Sequence, residues 1–137
     1  DARREHFDFL GYTFGPMVYR PTGLEFLAAS PSRKAVARLR ERIRAILRPN
    51  PIPWERLVSR VNSVLRGWAD YFSYGTVSRA YWWVDTFLLR RARGFLTHRH
   101  KVPGQGTRRF TQEVVFGPGG LLCLAQYHRA RASHAMA

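Results

Sequence analysis

Acidic residues are scarce in this sequence, and lysine is scarcer. Nine Asp and Glu stand against 23 Lys and Arg in 137 residues, which gives a formal net charge of +14. Because such an excess repels itself, we expect a polyanionic partner, and nucleic acid is the first candidate. All but two of the basic residues are arginine. A GC-rich genome would explain the ratio of arginine to lysine, but it would not explain the shortage of acid.

Several features that define other classes of protein are missing. No apolar run approaches the ~20 residues that a membrane span requires, and no signal-peptide pattern is present. The single cysteine, Cys123, makes no internal disulfide, which fits a reducing cytoplasm, and its apolar neighbours predict a buried, inert thiol. Because the first residue is Asp1 rather than Met, we expect a piece of a longer protein.

The motifs of common catalytic sites are missing too. Two-metal phosphoryl chemistry requires clustered carboxylates, and neither D-D nor D-x-D occurs. The histidines His98 and His100 lack the paired spacing of a zinc site. Neither the phosphate-binding G-x-x-x-x-G-K nor G-x-S-x-G is present. We therefore predict no catalytic residue, no metal site and no cofactor for this chain by itself.

Short aromatic runs and then long amphipathic stretches make up the rest of the pattern. Residues 7–14, F-D-F-L-G-Y-T-F, and the runs after them are punctuated by Pro and Gly, which predicts a small hairpin or meander. Three helices are predicted next, with Pro31 suited to the first helical position. Their predicted spans are Ser30 or Ser32 to about Arg48, Pro53 or Trp54 to about Tyr74, and Ser78 to His98.

The exposed side of the first predicted helix carries charge of one sign. Only Glu41 opposes its basic residues, which are Arg33, Lys34, Arg38, Arg40, Arg42, Arg44 and Arg48. An ordinary solvated face mixes signs, because opposite charges four residues apart stabilise a helix. We therefore predict contact with nucleic acid here rather than a plain solvated face.

The second predicted helix combines an apolar stripe with a polar edge. The stripe is the best core candidate and consists of Trp54, Leu57, Val58, Val61, Val64, Leu65, Trp68, Tyr71 and Phe72. Asn62, Arg66 and Asp70 recur every fourth residue along the edge, and Asp70 is placed to pair with Arg66. Gly67 lies off the stripe, although glycine costs about 1 kcal/mol in a helix interior. We predict that it permits close approach of a backbone or another helix.

The third predicted helix has a buried face and a second polar face. Tyr81, Val84, Leu88, Ala92 and Phe95 form the former; Arg79, Trp82, Trp83, Thr86, Arg90 and Arg93 lie off it. Tryptophans among arginines are typical of a base-stacking or cation–π platform. The alternative is that Trp83 packs against a neighbouring helix. We favour packing for the tryptophans and phosphate contact for the arginines.

Four stretches, in this order, resemble group II intron-encoded reverse transcriptases. They are F-D-F-L-G-Y-T-F, S-P-S-R-K-A, V-N-S-V-L-R-G-W-A-D-Y-F and W-V-D-T-F-L-L-R-R-A-R-G-F-L-T-H-R-H-K. Over about residues 7–101 the chain resembles the end of the palm followed by the thumb, or maturase-specific domain (domain X). The most specific motif is N-x-x-L-R-G-W from Asn62 to Trp68. The family usually has Asn where this chain has Asp70.

The resemblance implies a mainly α fold. We expect a three-helix, thumb-like bundle with a short N-terminal β-hairpin and a small C-terminal β or irregular element, ending in a frayed tail. The implied division is residues 1–29, the end of a palm-like β segment; residues 30–101, the helical maturase-specific domain; and residues 102–137, a C-terminal basic loop and extension.

The resemblance also implies a function and partners. The family's thumb binds intron RNA, assists its folding and splicing, and grips the template–primer duplex. Its polymerase aspartates lie upstream, in the fingers and palm of the same polypeptide. This chain would therefore not be an enzyme alone, although its parent would be an RNA-directed DNA polymerase. Mg²⁺ is implied only for the parent and the intron RNA, and the implied location is a nucleoprotein particle in the bacterial cytoplasm.

Two sets of residues follow from the patterns and the resemblance together. The predicted RNA-binding residues are Arg33, Lys34, Arg38, Arg42, Arg66, Arg79, Arg90, Arg93, Arg99 and Lys101. The predicted structural core of the motif is Leu65, Gly67, Trp68 and Phe72. Two alternatives to this interpretation remain: a stand-alone basic nucleic-acid-binding protein, or the thumb of another retroelement-type reverse transcriptase.

Overall fold

A three-stranded antiparallel meander precedes five helices in the computed structural model, which describes residues 6–19 and 21–136. The strands are β1 (Phe7–Phe9), β2 (Tyr12–Tyr19) and β3 (Leu24–Pro31). The helices are α1 (Arg33–Ile46), α2 (Trp54–Tyr71), α3 (Ser78–His100), α4 (Gln112–Phe116) and α5 (Leu124–Met136). The prediction of a mainly α fold with a small N-terminal β element is confirmed.

The sheet has one aromatic face and one face of small side chains, because successive strand residues point to opposite sides. Tyr12 and Phe14 lie on the aromatic face, where Phe14 stands opposite Ala29 in the register of β2 with β3. The aromatic face packs on the helices. The small face is formed by two further cross-strand pairs, Thr13 with Ser30 and Gly15 with Ala28.

Strand β3 and helix α1 follow each other without a loop. The sequence suited Pro31 to the first position of the helix. Pro31 is instead the last residue of β3, where it pairs with Tyr12. Ser32 is the N-cap, and its buried Oγ accepts a hydrogen bond of 3.0 Å from the backbone N–H of Ala35. This bond satisfies one of the free N–H groups of the first turn.

Helices α2 and α3 pack antiparallel. Trp54 at the start of α2 stacks on Phe95 near the end of α3, with 5.7 Å between ring centroids. Trp68 near the end of α2 lies 6.0 Å from Tyr81 at the start of α3. The buried hydroxyl of Tyr81 donates to the carbonyl oxygen of Phe72 at 2.7 Å, which ties α3 to the last turn of α2.

Two hydrophobic clusters form the core. The larger one is built from helices α1, α2 and α3 and includes the predicted buried face of α3. The smaller one joins the sheet to the helices through Tyr12, Ala29, Ala35 and Phe72. Trp68 is half-buried and packs against both clusters. Most of the predicted α2 stripe is buried or half-buried; Tyr71 is the exception, since 55% of it is exposed.

The C-terminal region combines irregular segments, at residues 102–111 and 117–123, with the helices α4 and α5, which the sequence did not predict. Helix α5 also runs through most of the tail that was expected to fray. The reason is hydrophobic burial: four C-terminal side chains join the larger cluster, namely Phe110, Val115, Leu121 and Leu124. The boundaries predicted at residues 29 and 101 stay a prediction.

Gly75 fixes the connection between α2 and α3 against the sheet. Its φ is +78°, and a Cβ there would lie 2.2 Å from the carbonyl oxygen of Ala29. The next residue, Thr76, donates its N–H to the same oxygen at 2.7 Å. Only glycine permits this approach together with this φ.

Across residues 6–19 and 21–136, the chain forms no helix with the length and apolar character of a membrane span.

Candidate nucleic-acid interface

The side of α1 that points away from the core is basic along its whole length. Ala35, Leu39 and Ile43 are buried beneath it. The exposed residues on and just after the helix, which we call the basic face, are Arg33, Lys34, Arg38, Arg42 and Arg48. Glu41 does not neutralise them, because its carboxylate pairs with Arg44 three residues on. Five positive charges therefore face solvent over a helix about 21 Å long.

Two further arginines of α1 are held against α3. The guanidinium carbons of Arg40 and Arg44 lie 5.3 Å and 5.0 Å from the centre of the Phe87 ring. Both arginines are half-buried. Such cation–π contacts contribute roughly 0.5–1 kcal/mol at exposed sites. They fix the inner rim of the basic face to the bundle.

Helix α3 presents arginines and tryptophans to solvent together. Arg79 and Arg90 are exposed. Trp82 and Trp83 are 58% and 51% exposed, and their rings meet edge to face at 5.3 Å. About half of Trp83 is covered and half is accessible, so the interpretation that it packs against a neighbouring helix stays a prediction. The base-stacking interpretation stays a prediction.

Three other predicted RNA-binding residues lie at the far end of α3. The Nε of Arg93 donates to the carbonyl oxygen of Phe110 at 2.7 Å. Arg99 donates to the carbonyl oxygen of Asn50 and lies over the ring of Phe95. Lys101 is exposed and ends α3 in a left-handed conformation with φ of +53°. Arg93 and Arg99 thus brace loops of the fold, a role that sequence reasoning missed, and their contact with RNA stays a prediction.

Asn62 on α2 holds the turn that leads to α5. Its Nδ2 donates to the carbonyl oxygen of Gly120 at 3.2 Å, and its Oδ1 accepts from the N–H of Leu122 at 2.7 Å. One amide therefore satisfies both a backbone acceptor and a backbone donor. These groups lie about 60 residues away in the sequence.

Asp70 contacts α5 rather than its own helix. Its carboxylate accepts from the hydroxyl of Tyr127 at 2.6 Å and pairs with Arg131 at 3.0 Å. This hydrogen bond to Asp70 raises the pKa of Tyr127, and partial burial adds to the shift. The predicted pairing of Asp70 with Arg66 is therefore wrong. Arg66 is exposed between Asn62 and Asp70, and its predicted RNA contact is untouched by this finding.

Asp85 on α3 caps the N-terminus of α5. Its two carboxylate oxygens accept from the backbone N–H of Leu124 at 2.7 Å and of Ala125 at 3.0 Å. Cys123 donates its thiol to the same carboxylate at 3.4 Å. Burial raises the pKa of Asp85, against the opposing effect of the two N–H bonds, and burial likewise raises the pKa of the Cys123 thiol. The half-buried Cys123 therefore favours the unreactive thiol form.

Once α5 is known, the sequence gives one signal that its cap comes from elsewhere in the chain. Helices are usually capped by Ser, Thr, Asp or Asn. The residues before α5 are G-L-L-C, which offer no such side chain. A helix without a local cap needs an acceptor from elsewhere, and few carboxylates are available in this chain.

Three polar side chains of α2 and α3 thus bond to the C-terminal region. We call these residues, Asn62, Asp70 and Asp85, the C-terminal clamp.

Gly67 does not belong to the core, so its assignment as a core residue is wrong. It is exposed, and a Cβ at this position would meet no atom of the described residues within 4 Å. No close approach of helices in this part of the chain requires the glycine. The other predicted core residues of the motif fit, because Leu65 and Phe72 are buried and Trp68 is half-buried.

The described residues bring no three His, Cys, Asp or Glu side chains together in a way that would hold a metal ion. The carboxylates of Asp70 and Asp85 are each engaged with α5 instead.

The chain forms a helical bundle with one basic face, and Asn62, Asp70 and Asp85 bond to its C-terminal region. The family model of the group II intron maturase-specific domain matches residues 36–114, which is more than half of the chain. The chain belongs to that family. The match begins within α1 and ends within α4. No curated protein matches the chain. The maturase-specific domain alone is not catalytic, and the family gives the chain a group II intron maturase role.

Proposed function

We propose that this chain is the RNA-binding thumb of a group II intron-encoded reverse transcriptase. In this role it assists folding and splicing of the intron RNA and grips the template–primer duplex. The basic face of α1 is the observation that carries the proposal. Its five cations are exposed, and the acidic residue among them is engaged elsewhere. Cations held on a rigid helix bind phosphates and release counterions into solution.

The exposed side chains of β1 and the following turn support a place beside a palm domain in the same polypeptide. Phe7, Phe9 and Leu10 are each more than half exposed. Clustered exposed apolar residues mark surfaces that another protein surface covers. The fingers and palm would supply the polymerase aspartates and bind Mg²⁺, and the intron RNA would bring its own Mg²⁺. The assembly would be a nucleoprotein particle of the bacterial cytoplasm.

A salt titration tests the RNA contact. We expect the affinity for structured group II intron RNA to fall with salt on a log–log slope of several units, because each neutralised phosphate contributes roughly 0.7–0.9 to the slope. Reversing Arg38 and Arg42 to Glu should flatten the slope by about two units or more. Filter binding measures both slopes. The matched control reverses Arg56 and Arg60, which are exposed at the same spacing on α2.

Two outcomes would contradict the proposal. The first is an affinity that does not change with salt. The second is equal loss from the α1 and α2 reversals, because that would indicate a response to net charge rather than a binding face. Primer extension by this chain alone should be absent with Mg²⁺ or Mn²⁺. Extension that survives repurification would contradict the proposal that the palm supplies the polymerase aspartates.

A further inference from the structure

A groove of about 560 Å³ lies where the sheet meets the first turns of α1 and α3. The small face of the sheet lines it together with His6, whose ring lies over Gly15. Arg33 and Arg40 line it from α1, and Arg79 and Trp83 line it from α3. Among the residues that the structure describes, no Asp or Glu lines the groove. The volume lies in the range of sites that hold small ligands, about 300–1,000 Å³.

Three arginines contribute positive charge to the groove, and the carboxylate of Asp8 accepts from the hydroxyl of Thr13, a lining residue, at 2.6 Å. Arg33 and Arg79 are exposed at its rim. Arg40 is half-buried, and its Nε is fully buried without a hydrogen-bond partner in the described part of the chain. That Nε has no surface that a ligand could reach, so Arg40 would act on a phosphate in the groove through the charge of its guanidinium. Three guanidinium groups would neutralise the charge of that phosphate.

Trp83 places a large aromatic surface beside these cations. Its ring and that of Trp82 meet edge to face at 76°. Of the whole Trp83 residue, 51% is exposed, so part of its surface is open to a ligand. Exposed indoles beside arginines are the combination on which unpaired bases stack, because the base meets the ring and its phosphate meets the guanidinium.

We propose that this groove holds an unpaired nucleotide of RNA, with the base on Trp83 and the phosphate among Arg33, Arg40 and Arg79. The inference rests on the proposed RNA-binding function and adds the class of nucleotide. A base inside a duplex is already stacked on both sides and cannot lie on an indole. The net positive lining favours a phosphate over an apolar protein segment.

Three probes of equal length separate stacking from charge: a short oligouridylate, the same backbone with abasic sites, and an RNA duplex. Fluorescence anisotropy with the whole chain gives each affinity. We expect the oligouridylate to bind more tightly than the abasic backbone. Trp83→Ala should weaken oligouridylate binding about five- to a hundredfold and leave abasic binding unchanged. Trp83→Phe should restore part of the loss, because a phenyl ring still stacks.

Matched variants control for folding and for aromatic loss elsewhere. Phe9→Ala removes an aromatic ring that is 60% exposed and does not line the groove, and it should leave oligouridylate affinity unchanged. Arg79→Gln should weaken binding of both the oligouridylate and the abasic backbone. Thermal melts should agree among the variants, since Trp83 is half exposed.

Equal affinity of the wild-type chain for oligouridylate and for the abasic backbone would overturn the inference and leave a protein surface as the occupant of the groove. So would a Trp83→Ala variant that binds oligouridylate as tightly as the wild type. In either case, salt-dependent binding of structured intron RNA would still support the proposed function. Loss of that binding as well would overturn both.

Discussion

The basic face of α1 and the α2 residues of the C-terminal clamp, Asn62 and Asp70, are both rows of polar residues at helical spacing, and the structure treats them in opposite ways. Lys34, Arg38 and Arg42 lie four residues apart and point into solvent. Asn62 and Asp70 lie on α2 at a multiple of the same spacing, and both bond to the C-terminal region. The two rows differ in the groups available to meet them. The clamp meets complementary backbone and side-chain groups of its own chain, whereas the side chains of the basic face meet none among the described residues.

This difference teaches what each row does for stability. Hydrogen bonds to buried or half-buried backbone groups stabilise a fold by about 0.5–1.5 kcal/mol each. Like charges four residues apart on a helix destabilise it by about 0.2–0.5 kcal/mol. The clamp therefore contributes to folding, while the basic face opposes it. Because the basic face lowers the stability of the fold, we assign it to the binding of a partner.

The largest effect on stability is expected at Asp85. Asp85→Ala removes the cap of α5 and leaves two backbone N–H groups without acceptors, so the free energy of unfolding should fall by about 2 kcal/mol. Denaturant unfolding measures the change, and limited proteolysis should show cleavage in α5. Asp85→Asn keeps one acceptor oxygen, so its free energy of unfolding should lie between those of the wild type and of Asp85→Ala. A wild-type unfolding curve for Asp85→Ala would break the comparison.

A smaller loss is expected at Asn62. Asn62→Ala leaves the N–H of Leu122 and the carbonyl of Gly120 without their side-chain partner, which should lower the free energy of unfolding by about 1–2 kcal/mol. Ser63→Ala is the control, because Ser63 is exposed on the next position of the same helix. Equal melting temperatures for the two variants would show that the turn before α5 does not depend on Asn62.

Asp70 should matter less, because its side chain is 60% exposed in the pair with Arg131. Exposed ion pairs typically contribute about 0–1 kcal/mol. A double-mutant cycle of Asp70→Asn with Arg131→Gln should give a coupling energy of about 0.5 kcal/mol that shrinks in high salt. The same cycle of Asp70 with Arg66→Gln should give none. Coupling to Arg66 rather than to Arg131 would mean that Asp70 forms its ion pair within α2 and not with α5.

The smallest effect has the opposite sign. Arg38→Gln removes repulsion with Lys34 and Arg42 and should stabilise the chain by about 0.2–0.5 kcal/mol at low salt, while the affinity for intron RNA falls. Chemical denaturation and filter binding on the same preparation measure both quantities. A loss of stability comparable to that of Asn62→Ala would mean that the basic face serves the fold.

The arginines of α3 show where reasoning from local pattern stops. Arg79 and Arg90 are exposed, as the wheel predicts, whereas Arg93 bonds to the carbonyl of Phe110 and Arg91 to the carbonyl of Leu47. All four have the same chemistry and similar sequence surroundings. Their difference depends on which loop carbonyl lies within reach, and that is set by chain segments up to 44 residues away.

The sequence by itself determined the three long helices, the buried faces of α2 and α3, the one-signed charge of α1 and the family. These properties follow from periodicity, composition and a local motif, which act over one or two helical turns. Only the tertiary structure decided the partners of Asn62, Asp70 and Asp85, the exposure of Gly67 and Trp83, and the helical form of the C-terminus. The physical reason is that a helical wheel states which side of a helix is polar, while the hydrogen bonds that satisfy that side depend on segments brought together from about 40–60 residues away.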